Sequence, residues 1–189
     1  LALLGVHFRE QTCELRQLAA QGVALLLVRD RVGRQRRAQP EVGGLDPVDI
    51  DVAEGLLDGA VLPVIKHIPG HGRARADSHL ELPVLETEHE ELSRTDFVPF
   101  RSLADMPMAM TAHVVYAALD PERCATLSSR VVHHIVRGEI GFDGLLMSDD
   151  VGMNARTGGF DERTHRSLVA GCDVVLHCSG DLAEMRECL

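Results

Sequence analysis

No apolar run in the chain approaches the ~18 residues needed to cross a bilayer, so no membrane partner is expected. The N-terminus has no basic segment ahead of a long apolar core, so no signal peptide is expected. A first residue of Leu rather than Met is what a fragment would carry. Tryptophan is absent, and the five cysteines (Cys13, Cys124, Cys172, Cys178, Cys188) form neither a CxxC pair nor a Cys/His spacing suited to zinc. Their odd number in a chain of this size points to reduced thiols and a cytoplasmic location. Positive charge is also scarce. Nineteen Lys and Arg against 29 Asp and Glu leave a formal net charge of −10, which repels phosphate backbones and anionic lipid and argues against a nucleic-acid partner. Phosphate-cradling patterns of the GxxxxGK(S/T) or GxGxxG kind are missing as well. A small-molecule substrate fits what remains.

What is present is an alternation. Short apolar runs recur at 22–28, 59–67, 106–116, 144–150 and 172–180. Each has strand length and is apolar at both parities, as expected of strands buried on both faces of a parallel sheet. Helical stretches separate them: "VAEGLLDG" before the second run, "ETEHEELSRTDFVPFRSLAD" after it with acidic residues at its start, "SSRVVHHIVRGEIG", and "DERTHRSLVAG" before the last run. In the third of these, Val131, Val132, Ile135 and Val136 form one stripe, with Gly138 or Gly141 as the stop. Strand and helix in turn predict an α/β fold with parallel strands. Upstream of about residue 45 the pattern weakens and arginine becomes dense, with five in the nine residues "RDRVGRQRR", which reads as a solvated or disordered segment before it reads as an anion or nucleic-acid contact.

Polar residues gather at the C-terminal ends of the last four runs: Lys66 and His67; Thr111 and His113; Ser148, Asp149 and Asp150; His177 and Ser179. In parallel α/β folds these ends share one face, where chemistry is done. "GLLMSDDVGM" sets two carboxylates directly after a buried strand, where one could be a nucleophile or electrostatic stabiliser or merely cap the following helix. "GHGRARADSHLELP" reads as a glycine-hinged loop. In it Asp77 could fix the tautomer of His79, or the whole could be a polar surface loop. A zinc site built from His67, His71, His79, His113 and Asp149 competes for the same residues. Pro69 and Gly70 deny His67 and His71 the helical spacing that would set two ligands on one face, and no metal or cofactor is expected.

Three segments in this order, "KHIPGHGRARADSHLELP" (66–83), "AMTAHVVY" (109–116) and "LLMSDDVGM" (145–153), resemble the β-N-acetylhexosaminidases of glycoside hydrolase family 3, the bacterial peptidoglycan-recycling type. The resemblance runs from about Val52 to about Glu184. It implies a (β/α)8 TIM-barrel fold, of which 49–189 would be an incomplete part holding strands five to eight. It also implies exo-hydrolysis of terminal β-linked N-acetylglucosamine with retention, on muropeptides from cell-wall turnover. By the same resemblance Asp149 matches the nucleophile, and Asp77 and His79 match the pair whose histidine is the general acid/base. Lys66 and His67 match groups that hydrogen-bond the sugar, and His113 is a further candidate for substrate contact. Residues 1–48 do not share the resemblance: the family's "DxEGG" segment is absent, and "EVGG" at 41–44 only echoes it. They read as an atypical leader, whose "LALLGV" and "VALLLV" could replace a strand or two. Half a barrel has two open edges, so marginal stability or self-association through those edges is expected.

Overall fold

The computed structural model describes residues 25–29, 47–74, 82–153 and 158–189. Five strands, β1 (Leu25–Arg29), β2 (Leu62–Ile68), β4 (Met108–Thr111), β6 (Leu145–Asp150) and β7 (Val174–Leu176), form one sheet in the order β1-β2-β4-β6-β7, with every neighbouring pair parallel. Spatial order follows chain order without reversal, as in the wall of a barrel and unlike a doubly wound sheet. The chain is thus α/β with a parallel sheet, and Leu25–Arg29, which overlaps the expected run at 22–28, forms β1, the edge strand among the described residues. A second sheet of two short parallel strands joins β3 (Val84–Leu85) to β5 (Val115–Tyr116).

Alternation along the strands divides the core. Ile65, Ala109 and Leu146 pack into one apolar cluster with Leu92, Phe97, Phe100, Val132 and Val136. Their sequence neighbours Val64, Met108 and Met147 face the other way, into a second cluster with Met110 and Val174. Successive side chains point to opposite faces of a strand, so a sheet covered on both sides needs apolar residues at both parities.

Helix α1 spans Pro47–Asp58 and opens on proline, which fits a first turn because the missing N–H has no intrahelical partner there. The stretch at 86–105 is two helices, α2 (His89–Arg94) and α3 (Val98–Ser102), rather than one. Pro99 cannot donate to the carbonyl four residues back, and the Thr95 hydroxyl turns inward to donate to the Glu91 carbonyl at 2.7 Å. The helix Val131–Glu139 is wound more widely than an α-helix, and the Ile140 N–H reaches the Ile135 carbonyl at 2.8 Å. Its stripe is as expected: Val131, Val132, Ile135 and Val136 are all buried, and Gly141 comes next but one with φ +82°. Helix α4 (Phe160–Ala170) carries Asp161 and Glu162 in its first turn and ends at Gly171, left-handed at φ +115°. A short α5 (Leu182–Glu187) is capped by the Asp181 carboxylate. Among the described residues no helix is long and apolar enough to cross a membrane.

At the N-terminal edge of the sheet, one oxygen of Asp173 accepts from both the Arg137 guanidinium at 2.8 Å and the Leu146 N–H at 2.9 Å. This clamp ties β6 to the start of β7 on the edge opposite the polar rim, the face of a barrel that serves stability.

Candidate active site

The polar strand ends converge as parallel pairing requires. Lys66 is level with Met110, and Met110 with Met147, so the residues immediately C-terminal to these three project from the same edge. At the end of β2 the register with β4 shifts between Lys66 and Ile68, leaving His67 outside the ladder, where such irregularities re-aim a side chain. The Lys66–His67 and Ile68–Pro69 peptides are both cis. Lys66 and His67 are half-buried, and the His67 and His71 rings lie tilted with centroids 5.7 Å apart.

The loop after β2 is held at both flanks by the same dipeptide. The Tyr116 hydroxyl donates to the Gly70 carbonyl, while the Val115 N–H donates to the Pro83 carbonyl at 2.9 Å. Gly70 has φ +145° and lies against Asp96, whose Cβ would stand 3.2 Å from an added side-chain carbon. Arg73 pairs with Asp96 at 2.7 Å and Glu91 at 2.9 Å and donates to the Thr95 hydroxyl at 3.0 Å. Asp77 and His79, expected as the acid/base pair, lie outside the described residues.

The "SDD" strand end separates its two carboxylates by task. Asp150 turns back into the protein, its Oδ1 accepting from the Gly152 N–H at 2.8 Å and the Cys178 N–H at 3.1 Å. It therefore stitches β6 to the segment after β7. Asp149 has a local anchor: its Oδ1 accepts the Asp150 N–H at 2.8 Å, which sets the carboxylate's rotation. Ser148 is fully buried and accepts the Leu176 N–H at 3.0 Å.

His113 is fully buried, with Nδ1 2.7 Å from the Thr126 hydroxyl and Nε2 3.0 Å from the Asp150 carbonyl. Both ring nitrogens are engaged within the protein. The reason is tertiary: residues 111–116 are buried throughout, with β3 alongside Val115 and Tyr116 and the turn Ala125–Leu127 against His113. His177 is buried too, its Nε2 2.9 Å from both Glu184 and Ser179.

Two residues at the site were not singled out from the sequence. Thr126 sits in "CATLSS" with no motif around it, fully buried. Cys178 occupies a strand-end position like those already singled out, and that placement was its available signal. Its thiol is partly shielded by surrounding protein, and that desolvation with the charges of Asp150 and Asp149 pushes its pKa up to about 11 against the opposing pull of Lys66. The thiol is therefore within electrostatic reach of the strand-end groups Asp149, Asp150 and Lys66. Among the described residues no group of three or more His, Cys, Asp or Glu is disposed to hold a metal ion.

Comparison with known proteins identifies the family. Residues 48–188 match the glycosyl hydrolase family 3 N-terminal domain. The β-hexosaminidase of Alkalilimnicola ehrlichii is 44% identical over 129 residues, covering 66% of this chain and 37% of that protein. That of Tolumonas auensis is 41% identical over 139 residues, covering 69% and 41%. Among solved structures, NagZ from Neisseria gonorrhoeae in complex with N-trifluoroacetyl-D-glucosamine superposes with a TM-score of 0.67 at 37% identity, over 74% of this chain and 40% of that one. A family 3 β-N-acetylglucosaminidase from a Paenibacillus species gives 0.70 at 33% identity, over 77% and 29%. The chain spans about two fifths of the length of the curated relatives it matches. With a parallel sheet wound in chain order and a polar rim at its C-terminal edge, the chain belongs to glycosyl hydrolase family 3, within the family's N-terminal domain.

Proposed function

We propose that this chain carries the catalytic rim of a retaining exo-β-N-acetylglucosaminidase acting on terminal β-linked N-acetylglucosamine of muropeptides in the cytoplasm. The observation that carries the reading is Asp149: a carboxylate on the end of a rigid strand, turned by the Asp150 N–H at 2.8 Å, while its neighbour is committed to structure. A site mounted on a strand end holds its geometry better than one on a loop. In the proposed reaction an Asp149 oxygen attacks the anomeric carbon and the glycosidic bond breaks, with His79 giving its proton to the leaving oxygen. Water then attacks the same carbon, His79 takes the water's proton, and the Asp149 ester bond breaks to release the sugar. Histidine suits the second role because its unperturbed pKa of ~6.5 lets it give and take a proton near neutrality, with Asp77 to fix its tautomer. Lys66 and His67, half-buried at the rim, would bind the sugar hydroxyls.

Residues 49–189 would then form the second half of a barrel, behind a leader at 1–48 that contributes the edge strand. The chain spans about two fifths of the relatives' length, and the second reading is a non-catalytic fragment, in which the rim residues bind sugar weakly or a complementary chain completes the barrel. Hydrolysis of a fluorogenic β-N-acetylglucosaminide by the purified chain, beside Asp149→Asn and His79→Ala and with a thermal melt of each, separates the two. Turnover that vanishes in both variants while the melt is retained supports the glycosidase. A cooperatively folded chain that binds N-acetylglucosamine without turning it over supports the second reading, and turnover intact in Asp149→Asn would sink the assignment of the nucleophile.

A further inference from the structure

We propose that Thr126, Thr111 and His113 form an oriented hydrogen-bond chain that positions Asp149, with Thr126 at its centre; the catalytic consequence rests on the glycosidase reading above. The β4–β6 register pairs Met108 with Leu145, Ala109 with Leu146 and Met110 with Met147. Beyond it side chains take over. The Asp149 N–H donates to the Thr111 hydroxyl at 3.1 Å, the Thr111 and Thr126 hydroxyls meet at 2.8 Å, the Thr126 hydroxyl lies 2.7 Å from His113 Nδ1, and His113 Nε2 lies 3.0 Å from the Asp150 carbonyl. The path leaves the backbone of one aspartate and returns to the backbone of the next.

Proton counting gives the path a direction. A carbonyl only accepts, so Nε2 carries a hydrogen and donates to Asp150. Burial of the whole ring disfavours the doubly protonated, charged form, so Nδ1 is the bare nitrogen and accepts. Thr126 has a single hydroxyl proton and three acceptors within reach, His113 Nδ1 at 2.7 Å, the Thr111 hydroxyl at 2.8 Å and the Ala112 carbonyl at 3.1 Å. The bare Nδ1 can only accept and makes the shortest contact, so it takes the proton, whereas the Thr111 hydroxyl can donate. Thr126 then has only lone pairs to offer Thr111, so Thr111 is the donor between them, and its own lone pairs face the Asp149 N–H. Every member is left one role, which is how a buried polar network specifies a single geometry.

Thr126 is thus a positioning residue with no place on the rim. Replacing it by valine keeps its shape but leaves His113 Nδ1 and the Thr111 proton without this partner; serine keeps the hydroxyl. The test uses the full chain as Thr126→Val, Thr126→Ser and Thr111→Val, with three readouts. Nitrogen-15 spectra of the wild-type His113 ring are expected to show a protonated Nε2 and an unprotonated Nδ1. Amide exchange at Asp149 is expected to speed about tenfold in either valine variant and to stay near wild type in the serine variant. Turnover of the fluorogenic glycoside is expected to lose about tenfold or more in kcat in Thr126→Val with KM little changed, and to recover in Thr126→Ser, because small displacements of a reacting group are costly. A proton on Nδ1, or Asp149 exchange unchanged in both valine variants, would overturn the proposal, as would a kcat no lower in Thr126→Val than in Thr126→Ser. Should the wild type show no turnover, the glycosidase reading fails for this chain, and the ring-nitrogen and exchange measurements decide the positioning by themselves. Should Thr126→Val fail to fold, Thr111→Val and the wild-type ring spectrum decide it.

Discussion

Asp149 Oδ1 accepts the N–H of Asp150 at 2.8 Å, while Asp150 Oδ1 accepts from Gly152 and from Cys178 on the neighbouring strand's continuation. Adjacent, chemically identical residues are thereby given different work. Asp150→Ala strands two backbone donors and is expected to cost about 1–3 kcal/mol of stability, visible as a lower denaturant midpoint. Asp149→Asn keeps its oxygen acceptor and is expected to leave that midpoint within about 0.5 kcal/mol of wild type. Equal losses in the two variants would mean that the division of labour is not real.

Cys178 is exposed yet expected to be a sluggish nucleophile at neutral pH. Its thiol is pushed up to about 11 by desolvation and by Asp150 and Asp149. The thiolate is the reactive form, so alkylation by iodoacetamide should be slow at pH 7–8 and climb steadily as the pH rises toward 11. Removing negative charge by Asp150→Asn moves the thiol pKa down and should raise the rate at pH 8. A rate already level by pH 9 would contradict the placement of the thiol beside the two carboxylates.

Glu139 joins helix Val131–Glu139 to α2 and α3. Desolvation alone would raise its pKa, but hydrogen bonds from Ser93 and His89, the charge of His89 and the Arg101 guanidinium outweigh it and hold the carboxyl below its usual range. A depressed folded-state pKa contributes stability that is present above the unfolded value of ~4.3 and lost as pH falls through the folded value. Glu139→Gln should therefore be less stable than wild type at pH 7, and the gap between their melts should close on acidification below pH ~4. A gap that widens in acid would have the wrong sign.

Two glycines respond oppositely to alanine. At Gly144 an added Cβ would stand 2.6 Å from the Pro107 carbonyl oxygen, 2.8 Å from that of Met106 and 2.8 Å from the Phe142 ring. Backbone on two sides cannot yield cheaply, so Gly144→Ala should cost about 1–3 kcal/mol. Gly55, inside helix α1, has nothing within 4 Å, and Gly55→Ala should add about 0.5–1 kcal/mol by lowering the entropy lost on forming the helix. Thermal melts of the pair at one pH decide both signs.

The strands were legible because burial on both faces demands apolar residues at both parities, and runs such as 59–67 and 144–150 supply them. The stripe of Val131, Val132, Ile135 and Val136 was legible as a buried face even though the helix winds more widely than its spacing implied. The break between α2 and α3 was carried by one residue, Pro99, within a longer helical pattern, and a periodic reading passes over a single position. His113 shows where local pattern stops. Its place after an apolar run marks it as a rim residue, yet its depth depends on Thr126 and Asp150, which are 13 and 37 residues away.

By itself the sequence determined the alternation of buried strands with helices and that Lys66, His67, Asp149 and Asp150 lie toward the C-terminal ends of their strands on one edge, because those outcomes depend on local pattern and on the polarity of parallel pairing. Only the tertiary structure decided that Asp150 ties strands together while Asp149 is anchored by its neighbour's N–H, that His113 is fully buried, and that Thr126 belongs to the site at all. Each of those depends on which groups the fold packs together, and a hydrogen bond is set by the distance and angle between its partners.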